Sequence, residues 1–163
     1  MLVVGFGKDH CTKVAYDAAY QVGLQLAKCG VTLITGGLGG VMEAASLGSK
    51  EGGGFVIGII PQDDKRMANV YCDNVIATGI GLARNFVTAY SADAVIVVGG
   101  GVGSLIEISA AYQNGIPIVA VTGTGGIADR FAGQYMDDRE IERILHEDSA
   151  HAAVELAVSL IKE

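Results

Sequence analysis

Short apolar runs alternate along the chain with segments whose apolar residues recur at helical spacing. The apolar runs cover residues 2–6, 31–35, 55–60, 75–78, 94–98 and 118–121, with a weaker run at 143–146. They are apolar throughout, as strands buried on both faces are. Helical spacing marks residues 15–26, 41–50, 83–91 and 103–113 and a C-terminal stripe within 153–161. The pattern predicts an α/β fold, doubly wound, with a mainly parallel sheet and helices on both faces.

Length and composition narrow the class of protein. The chain has 163 residues, of which 50% are hydrophobic and 18% charged, and this predicts a single domain over residues 1–163. The net charge of -7 and the lack of a Lys and Arg cluster argue against nucleic acid or an anionic membrane as a partner. Met1 leads into an apolar run without a basic segment, and the three cysteines lack CxxC spacing, so we expect a cytoplasmic protein without a signal peptide.

Glycine-rich loops follow four of the predicted strands, at residues 5–7, 36–40, 99–103 and 123–126. In doubly wound sheets, ligands bind beyond the carboxyl ends of the strands, so these loops are expected to converge on one rim. The loop at 99–103 precedes a predicted helix, and glycine N–H groups together with a helix N-terminus bind anions such as phosphate. A small phosphorylated ligand is therefore predicted at this loop. A tight strand-to-helix turn would account for the same glycines.

Two charged side chains are candidates for chemistry at this loop. Glu107 lies three residues after Ser104, on the same predicted helical face and toward the same rim. The same spacing is typical of a capping box, in which Glu107 only closes the helix N-terminus. Arg84 lies on a helix that starts near the rim and could direct its guanidinium at a phosphate or carboxylate, although a lone Arg on a helix is also typical of a solvated surface. Both alternatives stay open for both residues.

These residues resemble a known family. The stretch Gly99-Gly100-Gly101-Val102-Gly103-Ser104-Leu105-Ile106-Glu107 resembles the PGGxGTxxE motif of the "lonely guy" phosphoribohydrolases, formerly regarded as possible lysine decarboxylases. The run from Gly36 to Met42 resembles the second glycine motif of that family, and Arg84 matches its arginine. The resemblance covers nearly the whole chain. It is strongest to the branch that includes molybdenum cofactor carrier proteins, through Val41-Met42-Glu43 and residues 123–130.

The resemblance implies a Rossmann-like fold, usually a homodimer, with an AMP-type nucleotide or molybdenum cofactor as ligand. It implies that Arg84 and Glu107 act as a catalytic pair that assists cleavage of the N-glycosidic bond of a nucleoside 5′-monophosphate. A carboxylate beside the ribose suits that reaction, because bond breaking builds positive charge on the ring. The implied ligand-binding and phosphate-binding residues are Gly36, Gly37, Gly39, Gly40, Met42, Gly99, Gly100, Gly101, Val102, Gly103 and Ser104.

Departures from the enzyme motif leave a second hypothesis of a different class. Val98 replaces the motif proline, Asn85 replaces a basic residue, and Ile106 replaces the first acidic residue. The alternatives are therefore a phosphoribohydrolase and a non-catalytic molybdenum cofactor carrier or nucleotide sensor. The three histidines are too scattered to predict a metal site, and no lysine lies in a recognisable pyridoxal-phosphate setting, so no metal and no lysine decarboxylase activity are assigned.

Overall fold

The computed structural model describes residues 1–161, and within them a single sheet of seven strands organises the chain. The strands run in the order β4-β3-β2-β1-β5-β6-β7, and every neighbouring pair is parallel. The strands are β1 (Leu2–Gly5), β2 (Leu33–Thr35), β3 (Val56–Ile60), β4 (Asn74–Ala77), β5 (Val95–Val98), β6 (Ile118–Val121) and β7 (Leu145–Glu147). The expected parallel sheet is confirmed, and it is parallel throughout.

Six helices cover the two faces of this sheet in the described part of the chain. They are α1 (Lys13–Lys28), α2 (Val41–Glu51), α3 (Arg84–Tyr90), α4 (Val102–Gln113), α5 (Gly126–Phe131) and α6 (Ala150–Ser159). One buried cluster contains the inner residues of α1, α2 and α6, and a second contains those of α4 and α5. Because successive strand residues point to opposite faces, Val3 and Ile96 join the first cluster, whereas Leu2 and Val97 join the second. The doubly wound arrangement with helices on both faces is thus confirmed.

The strand order places a topological switch point between β1 and β5. Chain order runs outward from β1 through β2 and β3 on one side and from β5 through β6 on the other. Gly5 pairs with Val98 at the carboxyl ends of these two strands. The loops that follow them diverge to opposite faces of the sheet and leave a crevice between them. The crevice is the expected place for a ligand.

The helix boundaries follow local capping chemistry where the chain provides it. Thr12 caps α1, since its Oγ1 accepts a hydrogen bond of 3.1 Å from the Ala15 N–H. Gly30, with φ of +69°, follows the end of the helix in the left-handed conformation. The weak run at 143–146 proves to be an edge strand, shifted to Leu145–Glu147. The glycines at 123–126 lead into α5, which has only six residues.

The polar stretch at 62–73 is a loop that contains a 3-10 turn, Lys65–Met67. Asn69 fastens its middle to the loop after β2, because its N–H donates to Gly37 O at 2.8 Å and its Nδ2 donates to Leu38 O at 3.0 Å. At its end, the Asp73 carboxylate accepts from Val56 N at 2.8 Å and pairs with Lys50 at 2.5 Å. The loop is therefore anchored at two points, after the carboxyl end of β2 and at the amino end of β3.

Candidate functional site

A cavity of about 280 Å³ lies in the crevice beyond the carboxyl end of β1. Residues from the ends of β1 and β2, from α2, from the start of α3 and from the first turns of α4 surround it. They are Val3, Val4, Gly5, Phe6, Gly7, His10, Gly36, Met42, Leu82, Arg84, Asn85, Gly101, Val102, Gly103, Ser104 and Glu107. Three of the four predicted glycine loops therefore border one cavity. The fourth, at 123–126, packs behind it, where Gly99 N donates to Thr124 Oγ1 at 2.8 Å.

The N-terminus of α4 forms one wall of the cavity. Gly101 is the N-cap residue and no side chain caps the helix within the described residues, so the N–H groups of the first turn have no intrahelical partner. A Cβ added at Gly101 or at Gly103 would meet no atom within 4 Å. Neither glycine has a positive φ, so neither is required by backbone conformation. Bare N–H groups at a helix N-terminus are the environment in which proteins bind phosphate.

The capping box considered for Ser104 and Glu107 does not form. The helix starts two residues before Ser104, which places Ser104 inside the first turn and Glu107 in the second. The Ser104 hydroxyl donates to Gly5 O at 2.9 Å and thereby ties α4 to β1. Its proton is engaged within the protein, and the backbone N–H is the Ser104 donor left for a ligand. Glu107 is directed away from the helix N-terminus, toward α3.

Arg84 and Glu107 form a buried ion pair at the base of the cavity. The Arg84 Nη1 lies 3.1 Å from Glu107 Oε1, and each side chain is only 9% exposed. The surface alternative for Arg84 is therefore wrong. Burial raises the pKa of the Glu107 carboxyl, against the opposing effects of Arg84 and of a hydrogen bond from Thr88. Among the described residues, Glu107 Oε2 makes no hydrogen bond, and it is the oxygen left to the cavity.

The Arg84 guanidinium is held between two loops and keeps unused donors. Its Nη2 donates to Gly36 O at 3.4 Å, and its buried Nε has no partner among the described residues. A Cβ at Gly36 would lie 2.5 Å from Nη2 and 2.6 Å from the Met42 sulfur. Gly36 thus admits the guanidinium to the cavity wall. A buried cation with spare N–H groups can bind a second anionic group besides Glu107.

Five of the predicted ligand-binding glycines do not line the cavity, and the backbone conformation requires glycine at four of them. Gly37, Gly40, Gly99 and Gly100 have positive φ, and a Cβ at any of them would overlap a neighbouring atom at 2.3–2.8 Å. At Gly99 that neighbour is the ring of Phe6, and at Gly40 it is the Phe6 carbonyl. Gly39 packs against the Lys8 side chain. These glycines shape the two loops, whereas Gly36, Gly101 and Gly103 face the cavity.

Several residues of the site are not among the ligand-binding or catalytic residues that the sequence predicts. Phe6, His10 and Leu82 border the cavity. Asn85, which departs from the enzyme motif, also borders it and donates through Nδ2 to Gly103 O at 3.4 Å. Thr88 lies 2.9 Å from Glu107 Oε1. A threonine in the middle of a short helix is part of no motif, and its partner is distant in sequence. The order of Arg84 and the glycine motif along the chain indicates that α3 faces α4, but it does not indicate that Thr88 contacts Glu107.

No cluster of three or more potential metal ligands occurs within residues 1–161. The same residues include no helix long and apolar enough to cross a membrane.

A family model provides the decisive comparison. The SLOG cluster4 family model matches residues 1–154, nearly the full length of the chain. The chain belongs to this family. Its membership confirms the superfamily inferred from the two glycine motifs.

Two curated proteins are similar in sequence. An uncharacterized protein of Archaeoglobus fulgidus is 46% identical over 113 residues, which cover 69% of this chain and 73% of that protein. The cytokinin riboside 5′-monophosphate phosphoribohydrolase of Mycobacterium tuberculosis is 34% identical over 103 residues. That match covers 61% of this chain and 54% of the phosphoribohydrolase, so the similarity is partial on both sides.

Solved structures are similar over a larger share of the chain. The molybdenum cofactor binding protein of Rippkaea orientalis superposes with a TM-score of 0.87 at 32% identity, and the match covers 99% of this chain and 96% of that one. The molybdenum cofactor carrier protein of Chlamydomonas reinhardtii superposes with a TM-score of 0.85 at 29% identity, covering 99% and 98%. The Rossmann-like fold is shared along the whole chain.

Proposed function

We propose that this protein binds a small phosphate-bearing ligand of nucleotide type, with the phosphate on the N-terminus of α4. The uncapped first turn supplies N–H donors and the positive end of the helix dipole. Gly101 and Gly103 leave room for an anion to approach the backbone. The Arg84 guanidinium adds a fixed positive charge at the same cavity. These features would bind an anion in a chain whose net charge is -7.

We further propose that the site hydrolyses the N-glycosidic bond of nucleoside 5′-monophosphates. The observation that carries this proposal is the buried Arg84–Glu107 pair, in which Oε1 is bonded and Oε2 remains free toward the cavity. In the reaction, a water oxygen bonds to C1′ while the C1′–N bond breaks, and the leaving base takes the electron pair and a proton. Oε2 would stabilise the positive charge on the ribose or accept the proton of the water. Arg84 would hold Glu107 and orient the ligand.

The direct test is release of a free base. Purified protein is incubated with AMP and a panel of other nucleoside 5′-monophosphates, and the base and ribose 5-phosphate are quantified chromatographically. Glu107→Gln should lower turnover by about 100-fold or more while the ligand still binds, because the amide cannot accept a proton or offset a positive charge. Glu155→Gln, the same change at an exposed position of α6, is the matched control. No base release by the unmodified protein from any nucleotide of the panel, with nucleotide binding intact, would refute the hydrolase proposal.

A non-catalytic carrier of molybdenum cofactor is the second candidate. The observation that favours it is the extent of the structural match, since the two molybdenum cofactor proteins superpose over 96% and 98% of their own chains. A cofactor with a terminal phosphate could use the same N-terminus of α4. Native mass spectrometry and molybdenum analysis of protein purified from cofactor-producing cells test this candidate. Glu107→Gln that abolishes a measured hydrolysis without changing ligand affinity would exclude a purely carrying role.

The homodimer implied by the resemblance is also kept as a proposal. Exposed apolar side chains of α3 and of the start of α4 border one shallow depression, and they include Phe86, Tyr90 and Val102. The exposed Leu82, in the segment before α3, borders the cavity together with Val102. Burial of these side chains between two copies would remove them from water. Light scattering should give twice the chain mass, and Phe86→Glu should yield monomers.

A cytoplasmic location stays a prediction.

A further inference from the structure

Thr88 is the second side chain of α3 that contacts Glu107. It lies one helical turn after Arg84, so both residues share the face of α3 that is turned toward α4. Thr88 Oγ1 lies 2.9 Å from Glu107 Oε1, and Arg84 Nη1 lies 3.1 Å from the same oxygen. The Thr88 side chain is fully buried. One carboxylate oxygen is therefore held by two donors from adjacent turns of one helix.

The Thr88 hydroxyl has two acceptors and a single proton. Besides Glu107, it is 2.9 Å from the backbone carbonyl of Asn85. A hydroxyl donates only one hydrogen bond, and a bond to an ionised acceptor is roughly twice as strong as a bond to a neutral one. The proton should therefore point to Glu107 while that carboxyl is ionised. It can turn to Asn85 when Glu107 is protonated and no longer needs the donor.

We propose that Thr88 is a positioning residue that holds Glu107 Oε1, leaves Oε2 directed into the cavity, and favours the ionised state of the carboxyl. The hydroxyl does so without adding a charge to the site. Burial acts in the opposite sense, because it disfavours the carboxylate. The other titratable groups that border the cavity are Arg84, from α3, and His10, from the 3-10 turn after β1. Thr88 and Arg84 would oppose the effect of burial in part, since the pKa of Glu107 stays above its ordinary value.

Titration of the Glu107 carboxyl tests this role without reference to turnover. Protein with 13C-labelled glutamate carboxyls is followed by NMR across pH, and Glu107→Gln identifies the signal by its loss. Thr88→Val removes the hydroxyl and keeps the shape of the side chain, and it should move the titration midpoint upward by about one to two pH units. Thr88→Ser keeps a hydroxyl and should restore a midpoint near that of the unmodified protein.

Matched variants separate the hydroxyl from packing. Ser109→Ala removes a helical hydroxyl that donates to Leu105 O and not to a carboxylate, so it should leave the midpoint unchanged. Thr88→Ala is a second hydroxyl-free variant should Thr88→Val fail to fold. A midpoint that moves by less than about 0.3 pH units in the hydroxyl-free variants, or equally in Thr88→Ser, would overturn the assignment, since one hydrogen bond to a carboxylate predicts more.

The consequence for catalysis rests on the proposed hydrolysis. If AMP is hydrolysed, the acidic limb of the rate profile should move with the titration midpoint in Thr88→Val, and Thr88→Ser should reverse the change. Absence of hydrolysis in every variant would refute the hydrolase proposal and leave the titration result standing. A titration shift without a matching shift of the rate profile would overturn the link between Thr88 and turnover.

Discussion

Substitution of Gly103 by alanine should stabilise the free protein and weaken its hold on a phosphate. Gly103 is the second residue of α4, its φ is not positive, and a Cβ there meets no atom within 4 Å. Alanine is favoured over glycine in a helix by about 0.5–1 kcal/mol. In a domain of this size, that gain corresponds to a rise in Tm of roughly 1–4 °C. If Gly103 served only to form the helix, alanine at this position would make the protein more stable.

The same substitution should raise the Kd for the ligand. Helical Cβ atoms tilt toward the helix N-terminus, so the new methyl group would occupy the space where an anion approaches the first-turn N–H groups. The loss of one hydrogen bond to a charged phosphate oxygen costs about 1.5–3 kcal/mol, which corresponds to an increase in Kd of roughly 10-fold to 100-fold. Isothermal titration calorimetry with AMP and with ribose 5-phosphate measures this change, and differential scanning calorimetry measures Tm on the same preparations.

The two measurements together can refute the assignment of the phosphate to α4. Gln21→Ala, an exposed change in the middle of α1, serves as the control, because it also favours the helix and lies outside the cavity. It should raise Tm slightly and leave Kd unchanged. If Gly103→Ala raises Tm and binds AMP as tightly as the unmodified protein, the phosphate does not lie on this turn. A lower Tm would instead show that Gly103 is needed by the fold.

The remaining predictions concern the glycines and the buried pair. Gly36→Ala should lower the free energy of unfolding by more than about 1 kcal/mol, because its Cβ would lie 2.5 Å from the buried Arg84 guanidinium and disturb the pairing of Arg84 with Glu107. It should also raise the Kd for AMP by displacing the guanidinium, and an unchanged Kd would contradict this. Gly99→Ala should lower the free energy of unfolding by more than about 2 kcal/mol in urea denaturation, because φ is +62° and the Cβ would lie 2.3 Å from the Phe6 ring, whereas Gly101→Ala should be nearly neutral. Since burial raises the folded pKa of Glu107 above its ordinary value of 4.5, the folded state binds more protons than the unfolded state between those two values. The contribution of Glu107 to stability should therefore fall as pH rises through that window, and urea midpoints of Glu107→Gln should lack this component; parallel pH profiles would contradict it.

The fold could be predicted because its strands are apolar on both faces. β5 is the best example, since Val95 to Val98 are all buried and no alternating pattern competes with them. The edges of the sheet were harder to place. β7 has three residues, all partly exposed or exposed, and pairs on one side only, so its composition differs little from that of a loop. The short helix α5 lacks the length that would make a helical period visible.

The sequence predicts only those parts of the site that belong to a motif. The spacing from Gly99 to Glu107 places a glycine loop and a carboxylate on the same helix start, and the structure brings Arg84 to that carboxylate. The contact between Thr88 and Glu107 joins residues 19 positions apart, and no local pattern marks it. The distinction between glycines that turn the chain and glycines that face the cavity depends on φ and on neighbours from other strands. Those quantities exist only in the folded chain.

The glycines after β5 fall into two groups with different backbone conformations and surroundings, and this difference bears on the proposed function. Gly99 and Gly100 have positive φ and are crowded by Phe6 and Ser104, so the strand-to-helix turn accounts for them completely. Gly101 and Gly103 lie in open space with ordinary dihedral angles, and the turn does not account for them. A helix start with glycine as the N-cap and as the second helical residue forfeits stability that Ser or Ala could supply. The tight turn therefore explains Gly99 and Gly100 but not Gly101 and Gly103, and this difference agrees with the proposed approach of an anion to the backbone.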